Sequence, residues 1–221
     1  MKENETLKIN PLPSKTWYWL HLNDTSVKWN GDVQPCMVMA EEPEQVSEAG
    51  LNIKEMTTGV GAEADAIFED ENLPILQFTA KAEAGDRVIR LDISSEDKEN
   101  AAGTVYIAAE ENARVTVIEK FISGKKPQSD LAFRTKLYAK KNSRIRLVQI
   151  NMLDEGQRLL NAVGSVCDET AKLDVLQMFV GRGDVYNGIQ TELEGDQSEL
   201  HTEIGYIGQK QQSVDMNLVV N

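Results

Sequence analysis

Two thiols and two imidazoles, Cys36, Cys167, His21 and His201, are the first places to look for chemistry in this 221-residue chain. A metal site needs several Cys or His at short spacing, but the cysteines stand 131 residues apart and neither has a second Cys or a His beside it. Cys167 closes an aliphatic run, where a cysteine behaves as a small buried hydrophobe; the alternative is a thiol in a cluster or persulfide relay. His201 lies between Glu199 and Glu203 at strand spacing. If Leu200, Thr202 and Ile204 point inward, the imidazole and both carboxylates share the outward face, either as metal ligands or as a solvated row. Cys167 and His201 are thus the candidate metal ligands. No Gly-x-Ser-x-Gly elbow and no Gly-x4-Gly-Lys-Ser/Thr loop is present, and Gly59-Val60-Gly61 is too short for a dinucleotide fingerprint. Neither hydrolase chemistry nor tight ATP binding by this chain is expected, and no residue is assigned a catalytic role.

Charge narrows the partners. The formal net charge is −13, the opposite of a nucleic-acid or anionic-membrane footprint. It is unevenly spread: residues 112–160 carry 11 Lys+Arg against 4 Asp+Glu, whereas residues 1–100 carry 9 against 20 and residues 161–221 carry 3 against 10. The basic band, Lys125, Lys126, Arg134, Lys136, Lys140, Lys141, Arg144 and Arg146, is either a solvated face or a surface for an acidic partner or an internal neighbour. Aromatics for base stacking are sparse there, so nucleic acid is not an expected partner. No run approaches the roughly 20 apolar residues of a membrane helix. The N-terminus shows no signal-peptide pattern, and two cysteines make no disulfide framework, so a cytoplasmic protein is expected.

The elements that must carry these residues fall into three stretches. Residues 1–35 read as an appendage in which Trp17, Tyr18, Trp19 and Trp29 crowd together, with a short helix expected after Ser14 or Thr16. Residues 36–76 are mixed. Cys36–Ala40 reads as a short buried strand, a helix start is expected at Glu41–Glu44, and another short helix over Ala62–Glu71, ended by Pro74. From Gln77 onward the chain is a series of β-type runs, and proline is absent after Pro127.

Four copies of one pattern recur in this last stretch: Asn112-Ala113-Arg114-Val115, Asn142-Ser143-Arg144-Ile145, Thr170-Ala171-Lys172-Leu173 and Gln197-Ser198-Glu199-Leu200. Their small residues are spaced by 30, 28 and 27 positions, with a second strand-like run between successive copies. An antiparallel sandwich would put hairpin turns at the junctions, but Asn30-Gly31 and Asn187-Gly188 lie elsewhere. A parallel β-helix with two strands per coil places the small residue at a fixed corner and stacks Val115, Ile145, Leu173 and Leu200 as an interior ladder. The pattern favours this second arrangement, right-handed as parallel crossovers are.

The stretch Glu111–Glu119 resembles the first core repeat of the SufB/SufD family of iron–sulfur cluster assembly proteins. Gly181–Leu200 resembles the same family, including the corner Leu193-Glu194-Gly195-Asp196-Gln197-Ser198, and Gly205–Asp215 looks like its next block. Leu12–Leu20 resembles short SufD-like members. The resemblance implies a flattened, right-handed parallel β-helix with a short mixed α/β N-terminal region. It also implies a scaffold without catalysis of its own, pairing with a SufB/SufD-type paralogue or with itself and acting with a SufC-type ABC ATPase. The Fe–S cluster would be a transient cargo of the assembled complex, not a cofactor of this chain alone. The family's cluster-site cysteine and histidine, its last coils and its helical ATPase-docking region lie beyond the matched stretch, so a shortened SufD-like chain is expected. A homo-oligomeric β-helix module is the alternative, and a carbohydrate-active β-helix enzyme a further one. That last needs grooved carboxylates and sugar-stacking aromatics, whereas the outward positions here read as Lys, Arg, Gln and Glu.

Overall fold

The computed structural model describes residues 5–11, 25–29, 32–41, 56–82 and 85–221. The expected helices after Ser14 and at Glu41–Glu44, with Trp17, Tyr18, Trp19 and His21, fall outside them or at their edge. The chain opens with an antiparallel pair, β1 (Glu5–Ile9) and β2 (Thr25–Trp29), followed by β3 (Gln34–Pro35) and β4 (Met37–Glu41). Next come α1 (Ala62–Asp65), a 3-10 turn over Ala66–Glu69, and β5 (Ile75–Ala80). Ten strands follow without a helix among them. They are β6 (Asp86–Ser94), β7 (Asn100–Ala109), β8 (Arg114–Ile122), β9 (Ser129–Ala139) and β10 (Arg144–Met152), then β11 (Gln157–Cys167), β12 (Lys172–Phe179), β13 (Asp184–Leu193), β14 (Glu199–Tyr206) and β15 (Val214–Val220).

Successive strands from β6 alternate between two sheets, ordered β14-β12-β10-β8-β6-β4 and β15-β13-β11-β9-β7-β3, with β5 sharing the edge of β7. All pairings among β6–β15 are parallel, which makes a β-solenoid of about five turns, two strands per coil, as the repeat implies. Val115, Ile145, Leu173 and Leu200 stand in register. Their small predecessors occupy the corner: Ala113, Ser143 and Ala171 are buried, and each donates its N–H to the carbonyl three residues back at 2.9–3.1 Å. The residue before each is left-handed, with φ of 64° at Asn112, 57° at Asn142, 57° at Thr170 and 59° at Gln197. Asparagine tolerates this conformation better than most side chains, and the Asn142 amide also donates to the Asn112 side chain at 2.6 Å.

At its first coil the solenoid is closed by β4, which pairs antiparallel to β6, the remedy natural sheets use for an exposed edge. The expected buried strand at Cys36–Ala40 needs correction. Cys36 is in the core, but Met39 is 52% exposed because the strand is an edge with one face open. Within the N-terminal appendage, β1 and β2 pair antiparallel and Trp29 is buried.

The outer face of the seven-stranded sheet is covered. Leu7, Ile9, Val27, Trp29, Val60 and Phe68 pack onto an outward row formed by Ala102, Ala132 and Leu160. Two glycines let backbone lie directly on this sheet. A Cβ at Gly164 would meet the Thr57 carbonyl at 2.6 Å, and one at Gly188 would run into the Val60 nitrogen. Arg134, buried under the 3-10 turn, clamps it by an ion pair to Glu69 at 2.8 Å and by lying 5.0 Å from the Phe68 ring centroid.

Two substitutions separate core from cover. Leu173→Asp puts a charge in the aliphatic ladder and is expected to cost about 3–5 kcal/mol, seen as loss of the cooperative far-UV dichroism melt. Gly188→Val should leave the solenoid melt cooperative but free the cover, so that limited proteolysis cuts before residue 75 much faster than in the parent chain.

Candidate functional site

The alternation along β14 turns Glu199, His201 and Glu203 outward together, all exposed, as the sequence pattern implies. His201 Nε2 lies 2.8 Å from Glu203 Oε1 and stands in register with Asp174, which in turn pairs with Arg146. Asp174, nearly buried, receives Arg144 at 2.7 Å and Arg146 at 3.7 Å. Arg144, Lys172, Asp174, Glu199, Leu200 and His201 line a shallow cleft of about 520 Å³. Of the carboxylates in the cleft, Asp174 is engaged by guanidinium groups and Glu199 by the Lys172 ammonium. Among the described residues, no three His, Cys, Asp or Glu side chains converge to hold a metal ion.

The two thiols lie apart from this cleft, in the interior. Cys167 closes β11 in register with Ala139 and Leu193, and Cys36 Sγ abuts Gly103 beside the Phe133 ring. Burial pushes both thiols up to about 12. Thiolate nucleophilicity is therefore suppressed at both positions in the closed fold.

The basic band is neutralised by neighbouring coils and by the cover. Lys125 pairs with Glu96 at 2.8 Å, Lys126 with Glu99 at 3.6 Å, Lys140 with Glu110 at 2.7 Å and Lys141 with Glu169 at 2.7 Å. Arg134 and Arg144 take Glu69 and Asp174 as described, and Lys136 lies 5.6 Å from the Tyr106 ring centroid. The band thus has acidic neighbours within the chain and stitches basic coils to acidic ones. Each exposed pair contributes little to stability alone, but together they oppose like-charge repulsion along the stack.

The most unusual chemistry, which sequence reasoning missed, is inside. Glu119, Gln149 and Gln177 stand in register on β8, β10 and β12, and Asn161 and Asn187 on β11 and β13. All five are fully or almost fully buried. Gln149 Nε2 donates to Glu119 Oε2 at 2.6 Å and to Asn161 Oδ1 at 3.1 Å. Asn161 Nδ2 donates to Gln149 Oε1 at 2.7 Å and to Asn187 Oδ1 at 2.8 Å. Gln177 Nε2 donates to Gln149 Oε1 at 2.6 Å and to Asn187 Oδ1 at 3.0 Å, while Asn187 Nδ2 returns a bond to Gln177 Oε1 at 2.9 Å. The Thr135 hydroxyl sits 2.9 and 3.0 Å from the two Glu119 oxygens. Residue type alone puts glutamine and glutamate outward. Strict alternation from Val115 and Ile145 places residues 119 and 149 inward, and the signal was available in that parity.

The chain is thus a parallel β-solenoid with a covered outer face, a charge-stitched exterior and a hydrogen-bonded polar interior. The family model described as "SUF system FeS cluster assembly, SufBD core domain" matches residues 92–221, and the chain belongs to that family. Membership assigns it a role in SUF iron–sulfur cluster assembly. Comparison with curated proteins and with solved structures gives no match. No helix among the described residues is long and apolar enough to cross a membrane.

The buried thiols make a direct test. In the native chain at about pH 8, Cys36 and Cys167 should react with an aromatic disulfide reagent at least ~100-fold more slowly than in denaturant. Two rapid equivalents without denaturant would contradict their placement.

Proposed function

We propose that this chain is a non-enzymatic, SufD-like scaffold component of the SUF system, pairing with a SufB/SufD-type partner and acting with a SufC-type ATPase. The observation that carries the reading is the coincidence of the matched core domain, residues 92–221, with nearly all of the coils from β6 to β15. A scaffold requires a rigid body, and the continuous parallel register from β6 to β15 supports that requirement. The cluster is cargo in this reading, held by the assembled complex, and the cytoplasm is the expected compartment.

Anaerobic pull-down of the tagged chain from its own cells, read by mass spectrometry, tests this. The expected result is an ABC-type ATPase or a second SufB/SufD-type protein at near-stoichiometric yield. Recovery of the chain only with itself would favour the homo-oligomeric module. Recovery of neither component, with unrelated proteins instead, would overturn the scaffold reading.

A further inference from the structure

We infer that the interior of the solenoid contains a proton-binding site. One proton is exchanged at the Glu119 carboxyl, and the ladder through Gln149, Asn161, Gln177 and Asn187 makes the cohesion of the central coils depend on its presence. This goes beyond the scaffold role and does not rest on it.

The geometry supplies the argument. Glu119 is completely buried. Among the described residues its oxygens meet Gln149 Nε2 and the Thr135 hydroxyl. The flanking strand β6 presents Leu91 in register, β7 presents Val105 and Ile107 from the inward row, and β9 presents Thr135. Neither Leu91, Val105, Ile107 nor Thr135 is titratable. The inward Arg87 stands in register with Val115, two side-chain alternations along β6 from the position of Leu91. Lys120, next to Glu119 in the chain, faces out toward Asp92 at 3.7 Å. The other titratable groups of the same core, Cys36 and Cys167, are neutral thiols. A carboxylate at this position therefore has hydrogen-bond donors but, among the described residues, no counter-charge beside it.

The donors explain why the site exchanges a proton instead of staying permanently neutral. Both N–H groups of Gln149, Asn161 and Gln177 are used, and the chain from Gln177 through Gln149 is oriented with its donors toward Glu119. That polarity favours the anion, while burial disfavours it. In the neutral form the carboxyl O–H donates to the Thr135 oxygen. In the ionised form the proton has gone to solvent and Thr135 donates instead, so a hydroxyl rotation is the only rearrangement needed. Burial wins overall and raises Glu119 from 4.5 to about 7, against the lowering effect of Gln149 and Thr135.

The sign follows from linkage. The folded chain holds this proton more tightly than the unfolded chain, so below the unfolded value of 4.5 both states are protonated and the group is neutral to stability. As pH rises from there through about 7 the folded state is progressively penalised, and above that the loss is complete. The ladder spreads the effect from β8 to β13, and Asn10 Nδ2, which reaches the Asn187 carbonyl at 3.3 Å and also bonds Asp215, ties it to the N-terminal cover.

Thermal melts of the full chain and of Glu119→Gln, between about pH 5 and about pH 8.5, test the proposal. The parent midpoint should fall with rising pH by roughly 5–10 °C more than that of the variant, and the variant should be the more stable at the alkaline end. Parallel profiles would overturn it. Should Glu119→Gln not fold, carbon-13 titration of the parent labelled at glutamate side-chain carboxyls decides. One carboxyl should titrate near neutrality while the rest titrate in the ordinary range, and a set titrating wholly in the ordinary range would equally overturn it.

Discussion

The left-handed residue followed by a buried small one is the constraint on which the molecule depends. A parallel ladder has no hairpin to set its register, so something at the end of each strand must. Here the corner sets it, because an αL residue reverses the path and the next N–H closes the turn. The following amide then bonds the coil below, as Arg144 N–H does to the Ala113 carbonyl and Lys172 N–H to the Ser143 carbonyl, both at 2.9 Å. A slip by one residue would send Val115, Ile145 and Leu173 to solvent and Arg114, Arg144 and Lys172 into the core. Corner geometry and inside–outside pattern thus enforce one another, and neither would suffice alone.

That mutual enforcement is also why the solenoid was legible. The small residues Ala113, Ser143 and Ala171 mark a buried corner and Ser198 its half-buried counterpart, and the aliphatic run after each carries the period-two signal. The polar interior was harder to read because residue type and residue parity disagree. Gln149, Gln177 and Glu119 look like surface residues, and only the count from Ile145, Leu173 and Val115 turns them inward. The N-terminal strands were obscured for another reason. β1 and β2 are five residues each, and their partner faces lie far away in sequence, on Ala102, Ala132 and Leu160, which no local pattern reveals. Of the candidate site residues, parity placed the outward trio of His201 correctly. It could not say that the nearby carboxylate, Asp174, is already held by two arginines.

The two outer faces of the solenoid illustrate how a parallel sheet disposes of surface that is ordinarily buried on both sides. One is roofed by the cover, which approaches so closely that Gly164 and Gly188 must lack side chains. The other, across β8, β10 and β12, stays open and mixes charged rows with half-buried apolar ones. The charge asymmetry of the chain is resolved in the same architecture. Because each coil lies only one strand spacing from the next, a basic band 30 residues from an acidic stretch in sequence is its immediate neighbour in space, as Lys140 and Glu110 show.

A solenoid stabilised by aliphatic rows alone would be indifferent to everything but temperature. The polar layer changes that. Each amide in it is satisfied by the coil before or after, so the layer holds together as a unit, and a unit of this kind in a low-dielectric interior is sensitive to the charge of its terminal member. The corners fix the register of the coils, and the interior sets how firmly neighbouring coils hold to one another.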